Sequence, residues 1–126
     1  MTKNFDDWSK QKKLLDDNQK DVLFNENEVW WCSIGLNVGV EMDGKNENYE
    51  RPVLIIKKFS RESFLGIPLT ATNKQSIYKY KCTINNTESY VCLNQSKTLS
   101  SKRLIRKIVK IGRVKFKEIK TAFSNI

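Results

Sequence analysis

The hydrophobic and polar positions of this chain follow helical spacing near the N-terminus and strand-like alternation from Val29 onward. The apolar positions of residues 5–23 that share one helical side are Phe5, Trp8, Leu15 and Val22. Asn4 stands where it can cap this helix, and most other positions of the segment are polar. The pattern predicts an appended amphipathic helix over residues 5–23 that docks on the domain or on a partner chain, with residues 25–28 as a linker.

The chain after Val29 is rich in β-branched and aromatic residues that alternate with polar ones, as in half-buried strands. Strands are predicted over residues 29–34, 52–57, 63–70, 77–84, 89–93 and 104–112. The last of these fits a helix or a strand by pattern, and its β-branched content and terminal Gly112 favour a strand. A short amphipathic helix is predicted over residues 116–123. These elements predict a mainly β fold with helices, a small and strongly curved antiparallel barrel with a C-terminal helix and an N-terminal helical extension.

Two polar loops interrupt the predicted strands, at residues 35–50 and 71–76. The first loop contains Gly35, Gly39 and Gly44, and it is longer than most connections in compact domains. Long loops without secondary structure of their own often carry function, so this loop is a candidate part of a site.

The composition is that of a single soluble domain. A chain of 126 residues fits one domain, and 39% apolar and 29% charged residues are ordinary for a globular protein. No window approaches the roughly 18 uninterrupted apolar residues of a membrane-spanning helix. The N-terminus lacks the apolar core of a signal peptide. We therefore expect a cytoplasmic protein without a membrane partner.

Histidine is absent, and the cysteines are three widely spaced residues, Cys32, Cys82 and Cys92. An odd count at this spacing argues against a disulfide framework, and the lack of any CxxC pair argues against a zinc site. We expect reduced thiols packed in or near strands, and no metal ion or other cofactor. The absence of histidine also removes imidazole from any acid–base chemistry.

The net charge of +9 is distributed unevenly. Residues 1–28 carry a net charge of −2, whereas residues 97–120 contain ten cations and one acid, Glu118. Such asymmetry favours a polyanionic partner, and the alternative is a solvated basic surface that aids solubility.

Three residues in the middle of the chain could carry chemistry. Pro52 fixes its own backbone and favours an extended Arg51 at the start of a strand. Arg51 is either an ordinary surface arginine or a phosphate clamp, because a guanidinium offers a planar fork of donors and stays charged. Thr70, at the end of another strand, is either a β-former or a hydroxyl donor to a phosphate oxygen. Glu41 is either a solvated loop residue or a group that orients Arg51 or accepts a base amino group.

These residues belong to segments whose order and spacing resemble the MazF/PemK family of toxin endoribonucleases. The segments, in chain order, are Trp30 within a strand, Gly39-Val40-Glu41, Arg51-Pro52 at a strand start and Pro68-Leu69-Thr70 at a strand end. The similar segments that follow are Leu93-Asn94-Gln95, Leu99 and Arg103-Leu104. Ser100 departs from the family pattern, which usually has an acid there. The resemblance covers roughly residues 28–123, so we predict a toxin domain over residues 28–126 and an extension over residues 1–27.

The resemblance implies an SH3-like (CcdB/MazF-like) barrel that acts as a homodimer and cleaves single-stranded RNA at short sequences without a metal. It implies that Arg51 and Thr70 are the catalytic pair. It places Glu41, Gln95 and Arg103 on the substrate-binding side. It also implies a small acidic antitoxin as the protein partner.

An arginine resists deprotonation, so we favour electrostatic stabilisation of the scissile phosphate by Arg51, with Thr70 helping to hold it. The nucleophile is then the 2′-hydroxyl of the substrate itself. Two alternatives stay open on the sequence. One is a CcdB-like toxin that binds a protein target such as gyrase without nuclease activity, and the other is a nucleic-acid-binding module that has lost catalysis.

Overall fold

The computed structural model describes residues 22–34, 50–72 and 76–126. Within these residues the chain forms seven strands and one α-helix. They are β1 (Glu28–Ser33), β2 (Glu50–Lys58), β3 (Ser63–Thr70), β4 (Lys79–Ile84), β5 (Thr87–Cys92), β6 (Lys97–Ser100), β7 (Leu104–Lys110) and α1 (Arg113–Ser124). Two short 3₁₀ turns, Leu93–Gln95 and Ser101–Arg103, flank β6.

The strands form one antiparallel sheet in the order β4-β5-β3-β2-β1-β7. Strand β3 is shared, because its end pairs with β5 and its start pairs with β6. The sheet curls into a half-barrel, and α1 packs against one of its faces. The predicted mainly β fold with a C-terminal helix is confirmed. The predicted N-terminal helix lies outside the described residues, except for its last positions, Val22 and Leu23, which are not helical.

Two clusters of buried side chains lie on opposite faces of the central strands, because successive residues of a strand point to opposite sides. The helix-side cluster contains Val29, Leu54, Ile67, Leu69, Val91 and, from α1, Ile119. The opposite cluster contains Phe24, Trp30, Cys32, Val53, Phe64 and Leu99. Trp30 is therefore buried, whereas Trp31, which points to the other face, is half-buried.

The segment before β1 is fastened to the sheet by side chains on β2 and β3. The Phe24 ring is buried and lies 5.3 Å from the ring of Phe64, and Lys58 Nζ donates to the Phe24 carbonyl at 2.8 Å. The buried carboxylate of Glu28 accepts hydrogen bonds from Trp30 Nε1 at 3.0 Å and from the Asn25 amide at 2.9 Å. Residues from Phe24 onward are thus packed on the domain, while the domain boundary at residues 27 and 28 stays a prediction.

Asparagines supply the left-handed backbone at the two tightest connections. Asn85 and Asn86 have φ values of 49° and 65° and form the two-residue turn between β4 and β5, where the twist of the strands requires positive φ at both positions. Asn27, with φ of 68°, donates its amide to the Ile55 carbonyl at 3.0 Å and its Nδ2 to the Ile111 carbonyl at 3.0 Å. Asn27 therefore ties the start of β1 to β2 and to the end of β7.

Several predicted strand ends are wrong by a few residues. The strand predicted from Ile77 begins at Lys79, because the Tyr78 amide donates to Ser76 Oγ at 3.1 Å and Ile77 stays exposed in a turn. Strand β6 was missed. No helix in the described part of the chain has the length and apolar content to cross a membrane.

Candidate functional site

One end of the sheet collects three of the five residues that the sequence singled out. The antiparallel arrangement brings together the end of β1, the start of β2, the end of β3 and the start of β7. Arg51 lies opposite Cys32, and Cys32 also lies opposite Leu104, the residue after Arg103. Thr70 is the last residue of β3. Arg51, Thr70 and Arg103 therefore share one edge of the fold although they are far apart in sequence.

Arg51 is held inside the wall of the half-barrel, since only 3% of its surface is exposed. Its Nη1 donates to the Leu69 carbonyl at 3.5 Å, a long bond to the residue just before Thr70. Burial of a cation is costly in the absence of compensating groups, yet guanidinium keeps its charge under all ordinary conditions. The result is a fixed positive charge at the start of β2, with less freedom than a surface arginine has.

Thr70 stands next to this charge. The β2–β3 pairs end at Val53 and Pro68, and Arg51 and Thr70 each lie two residues beyond that pair, so their side chains are on the same face as those of Val53 and Pro68. Thr70 is 5% exposed, and its Oγ1 accepts a hydrogen bond from the Thr72 amide at 3.2 Å. Accepting that bond uses an oxygen lone pair and leaves the hydroxyl hydrogen as a donor. The two residues of the predicted pair thus offer a fixed cation and a hydroxyl donor side by side.

Arg103 is exposed, but its direction is set by the end of β1. Its Nη1 donates to the Ser33 carbonyl at 3.0 Å. The 3₁₀ turn that carries Arg103 is capped by Ser100, whose Oγ accepts from the Lys102 amide at 3.2 Å. Ser100 stands where the family usually has an acid, and a hydroxyl serves there as the cap. Arg103 retains further N–H donors that can meet an anion at the site.

Gln95 lines a small apolar cavity that lies next to Arg51 and Thr70. The cavity has a volume of about 20 Å³, and the residues that line it are Ile34, Val53, Gly66, Pro68, Gln95, Lys97 and Leu99. Val53 and Pro68 are each two residues along the strand from Arg51 and Thr70, so the cavity adjoins the pair. Gln95 therefore stands within the same part of the molecule. Glu41 lies outside the described residues.

The thiols near this site are protonated and buried. Burial raises the pKa of Cys32 to about 12, and the positive charge of Arg103 lowers it only in part. Burial also raises the pKa of Cys92, against the opposing charges of Lys79 and Arg51. Cys82 is buried as well, and none of the three cysteines is in a disulfide, as predicted. A thiol held protonated is a poor nucleophile, so the cysteines pack rather than react.

Two aromatic side chains at this end of the sheet were not singled out for the site. Trp31 lies opposite Pro52, and the Arg106 guanidinium stands 5.3 Å from the centre of its ring. Tyr90 lies opposite Thr70. Sequence alone shows that these strands are aromatic. The pairing of β3 with β5 places Tyr90 on the same face as Thr70, whereas Trp31 points to the face opposite Arg51, because Arg51 pairs with its neighbour Cys32.

Metal ligands are not grouped here. Within residues 22–34, 50–72 and 76–126, no three side chains of Asp, Glu, Cys or His are placed to hold a metal ion. Arg51 and Arg103 contribute guanidinium groups to the described part of the site, and Lys97 at the cavity adds a further cation. Such a surface suits a phosphate group, which Arg can grip through two parallel hydrogen bonds.

Known structures share this architecture. A mycobacterial endoribonuclease in complex with its cognate antitoxin superimposes with a TM-score of 0.63 at 17% identity, over 82% of this chain and 93% of that one. The Mycobacterium tuberculosis toxin MazF-mt6 gives a TM-score of 0.59 at 16% identity, over 78% and 93% of the two chains. A further mycobacterial endoribonuclease gives 0.57 at 16% identity, over 84% and 90%. At these identities the likeness shows the fold.

The sequence itself carries the family signal. No curated protein matches the chain. A family model described as the PemK-like, MazF-like toxin of type II toxin–antitoxin systems matches residues 25–126. This match covers the whole described domain from Asn25 to its end, including the strands that hold Arg51 and Thr70. The chain belongs to the PemK-like, MazF-like toxin family of type II toxin–antitoxin systems.

Proposed function

We propose that this chain is a sequence-selective, metal-independent endoribonuclease that cleaves single-stranded RNA in the cytoplasm as the toxin of a toxin–antitoxin pair. Family membership supports the toxin role. The observation that carries the proposal is the placement of the buried Arg51 beside the end of β3, where its Nη1 contacts the carbonyl of the residue before Thr70, at an edge of the fold that Arg103 and Gln95 share. This arrangement suits a phosphodiester, which needs charge stabilisation and a hydroxyl donor.

The reaction follows from the groups at hand. The substrate 2′-hydroxyl attacks the adjacent phosphorus and loses its proton to solvent, while the bond from phosphorus to the 5′-oxygen breaks and that oxygen gains a proton. The products are a 2′,3′-cyclic phosphate and a 5′-hydroxyl end. Arg51 stabilises the extra negative charge on the phosphoryl oxygens in the transition state, and its buried, fixed position needs little reorganisation as that charge develops. Thr70 donates its hydroxyl to one of those oxygens.

The remaining residues act on the substrate side in this proposal. Arg103, directed by the Ser33 carbonyl, contacts a neighbouring phosphate. Gln95, beside the small cavity, presents an amide that can read the edge of a base. Glu41, in the loop before β2, is proposed to orient Arg51 or to accept a base amino group.

Two protein partners complete the proposal. One is a second copy of the chain, because the family dimerises and a symmetric pair is the commonest oligomer. The other is a small acidic antitoxin that folds onto the basic domain, as favoured by its charge. Light scattering should give twice the monomer mass of 14.7 kDa, and co-expression of the neighbouring small reading frame should restore growth. A monomer, or continued toxicity with the antitoxin present, contradicts the respective pairing.

The decisive experiment compares variants on one RNA in excess EDTA. Wild type should cut with and without chelator, and Arg51→Ala should lose about 100-fold or more in rate, the scale for one transition-state donor. Arg51→Lys keeps the charge without the planar fork and should recover only part of the loss. Thr70→Val, which keeps the branched shape and removes the hydroxyl, should show a smaller loss.

Three controls show whether a lower cleavage rate reflects a loss of catalysis. Arg61→Ala, in the exposed turn between β2 and β3, should cut like wild type. RNA affinity of Arg51→Ala should fall far less than its rate, because other cations share the phosphate contacts. A substrate with 2′-deoxyribose at the cut position should stay intact. Full activity of Arg51→Ala or cleavage of the deoxy substrate overturns the mechanism, and binding of gyrase without any RNA cleavage favours the CcdB-like alternative.

A further inference from the structure

Helix α1 carries a row of exposed cations on one side. Arg113, Lys117 and Lys120 are spaced by four and three residues, so they fall within about 60° of one another around the helix axis. All three side chains are exposed. We call these three residues the α1 cationic stripe.

The single acid of the helix does not neutralise this stripe. Glu118 points away from it by about 100° or more, given the helical repeat. Its carboxylate accepts the Tyr80 hydroxyl of β4 at 2.9 Å and lies 3.7 Å from Lys115 Nζ. Within the described residues, Arg113 and Lys117 form no ion pair, and Lys120 contacts only the Phe116 ring, at 5.5 Å. The stripe is therefore a line of uncompensated positive charge.

The rest of the helix restricts what this charge can bind. The apolar side is used within the domain, because Ile119 is fully buried and Phe116, Ala122 and Phe123 pack against the same cluster. A membrane-surface helix needs that side for the lipid. A protein partner usually needs an apolar or aromatic anchor at the centre of the contact, where lysine is depleted. The stripe offers cations alone, which is what a phosphate backbone requires.

The stripe begins well away from the candidate site. α1 follows the end of β7, which pairs with the start of β1, whereas Arg51 and Arg103 lie where β1 ends. The length of β1 separates these two ends by about 17 Å, at about 3.3 Å per residue. Arg113 at the start of α1 is therefore too far away to touch the scissile phosphate.

We propose that the α1 cationic stripe is a second RNA-binding surface, which holds the sugar–phosphate backbone of the substrate several nucleotides from the cut. This inference rests on the proposed ribonuclease function. The contact is independent of base sequence, since cations that meet phosphates carry no base information. It adds affinity for long RNA and leaves the choice of cut site and the chemical step unchanged.

The test uses the full chain, two oligonucleotides and two matched variants. Arg113→Gln/Lys117→Gln removes two charges from the stripe. Lys57→Gln/Arg61→Gln removes the same two residue types from exposed positions near the β2–β3 turn, which lies at the same end of the sheet. Circular dichroism and thermal melting establish that both variants fold. The RNAs are a cleavable oligonucleotide of about five nucleotides around the cut and one of about twenty that contains it, within the range of single-strand site sizes.

We expect a loss of RNA affinity only in the stripe variant and only on the long RNA. Each single-strand phosphate contact contributes about 0.7 to the slope of log affinity against log salt, so the stripe variant should lose about 1.4 from the slope on the long RNA. At about 0.1 M salt that loss corresponds to an affinity about 25-fold lower. The short RNA should be cut at the wild-type rate, and the Lys57→Gln/Arg61→Gln variant should behave as wild type on both RNAs.

Other outcomes separate the two proposals. If wild type cuts the short RNA and both double variants show the same salt slope, the stripe is not an RNA surface. If the stripe variant binds RNA normally and loses affinity for the antitoxin, the surface belongs to that protein. If wild type cuts neither RNA and binds the long one with the full stripe-dependent slope, the nuclease proposal fails and the second surface stands.

Discussion

Gly66 in the middle of β3 lies where the packing beneath the candidate site leaves no room for a side chain. A β-carbon placed on Gly66 would lie 2.6 Å from Val53 Cγ1, 3.0 Å from Phe64 Cε2 and 3.3 Å from Leu99 Cδ1. Carbon atoms in contact normally stand about 3.5–4.0 Å apart, so the closest pair needs about 1 Å of movement. Val53 and Phe64 are almost fully buried, and Leu99 closes the third direction. Movement of one side chain therefore displaces the others.

The expected cost of Gly66→Ala follows from these distances. Overpacking of a closed core costs about 1–3 kcal/mol, and the lower conformational entropy of the unfolded alanine chain returns about 0.4–1 kcal/mol. The free energy of unfolding should fall by about 1–2 kcal/mol, which lowers the melting temperature by about 4–8 °C for a domain of this size. Urea unfolding followed by tryptophan fluorescence measures the change, with an unchanged m-value as the sign of two-state behaviour.

A double-mutant cycle tests the cause of that cost. Val53→Ala removes the Cγ1 atom that the new methyl would strike, so Gly66→Ala should cost at least about 1 kcal/mol less in the Val53→Ala background. Gly112→Ala is the matched control, since nothing lies within 4 Å of its added methyl and its φ of −62° suits alanine. It should change the free energy of unfolding by no more than about 0.5 kcal/mol. Equal costs of Gly66→Ala in both backgrounds would refute the steric account.

Two further predictions concern ionisable groups. Tyr80 donates to Glu118, and this hydrogen bond is the main cause of the raised pKa of its phenol. The stabilisation that this hydrogen bond gives the folded state is complete below the pKa of about 10 that tyrosine has in the unfolded chain. It is lost as the pH rises through the higher pKa of Tyr80 in the folded state. Wild type should therefore lose stability above about pH 10 more steeply than Tyr80→Phe. Parallel curves of unfolding free energy against pH for the two proteins would exclude this assignment. Burial raises the pKa of the three thiols, Cys32, Cys82 and Cys92, so iodoacetamide at pH 8 should modify the native protein slowly. In urea the unfolded protein should be modified at all three sites, which mass spectrometry can count. Fast labelling of the native chain would contradict the burial of these thiols.

The strands that were predicted well are those in which the apolar residues of the segment itself are enough to identify a strand. Residues 63–70 form a strand with the predicted bounds, because the segment is rich in apolar residues (Phe64, Leu65, Ile67 and Leu69) and has polar residues at both ends. Strand β6 contains a single apolar residue, Leu99, and its four residues give no periodicity to detect. It becomes a strand by pairing with the start of β3, and such a tertiary cause leaves no local signal. The strand predicted from residue 77 was too long because the turn at Ser76 overrides the strand propensity of Ile77.

The candidate site was predictable in its residues but not in its assembly. Arg51 and Thr70 were identified by the prolines near them and by the spacing of the segments that resemble the MazF/PemK family. Their proximity depends on the register of β2 with β3, which is decided by packing on both faces of the sheet. The burial of Arg51 could not be read from the chain, since an arginine before a strand is usually solvated. Tyr90 could not be singled out for the same reason, because its place beside Thr70 is a property of cross-strand pairing.

In the proposed function, the half-barrel supplies a histidine-free chain with a cation whose position is fixed in advance for phosphate chemistry. A flexible surface arginine has to be ordered when it binds, and the entropy lost reduces its benefit. Arg51 is ordered in advance, because β2 lies between β1 and β3 and both faces of that region are packed. Its charge is felt as far as Cys92, where it lowers a thiol pKa that burial otherwise raises. The same strands that stabilise the fold thus fix the position of the cation, and in the two proposals the exposed Arg103 and the α1 cationic stripe bind further phosphates of the RNA.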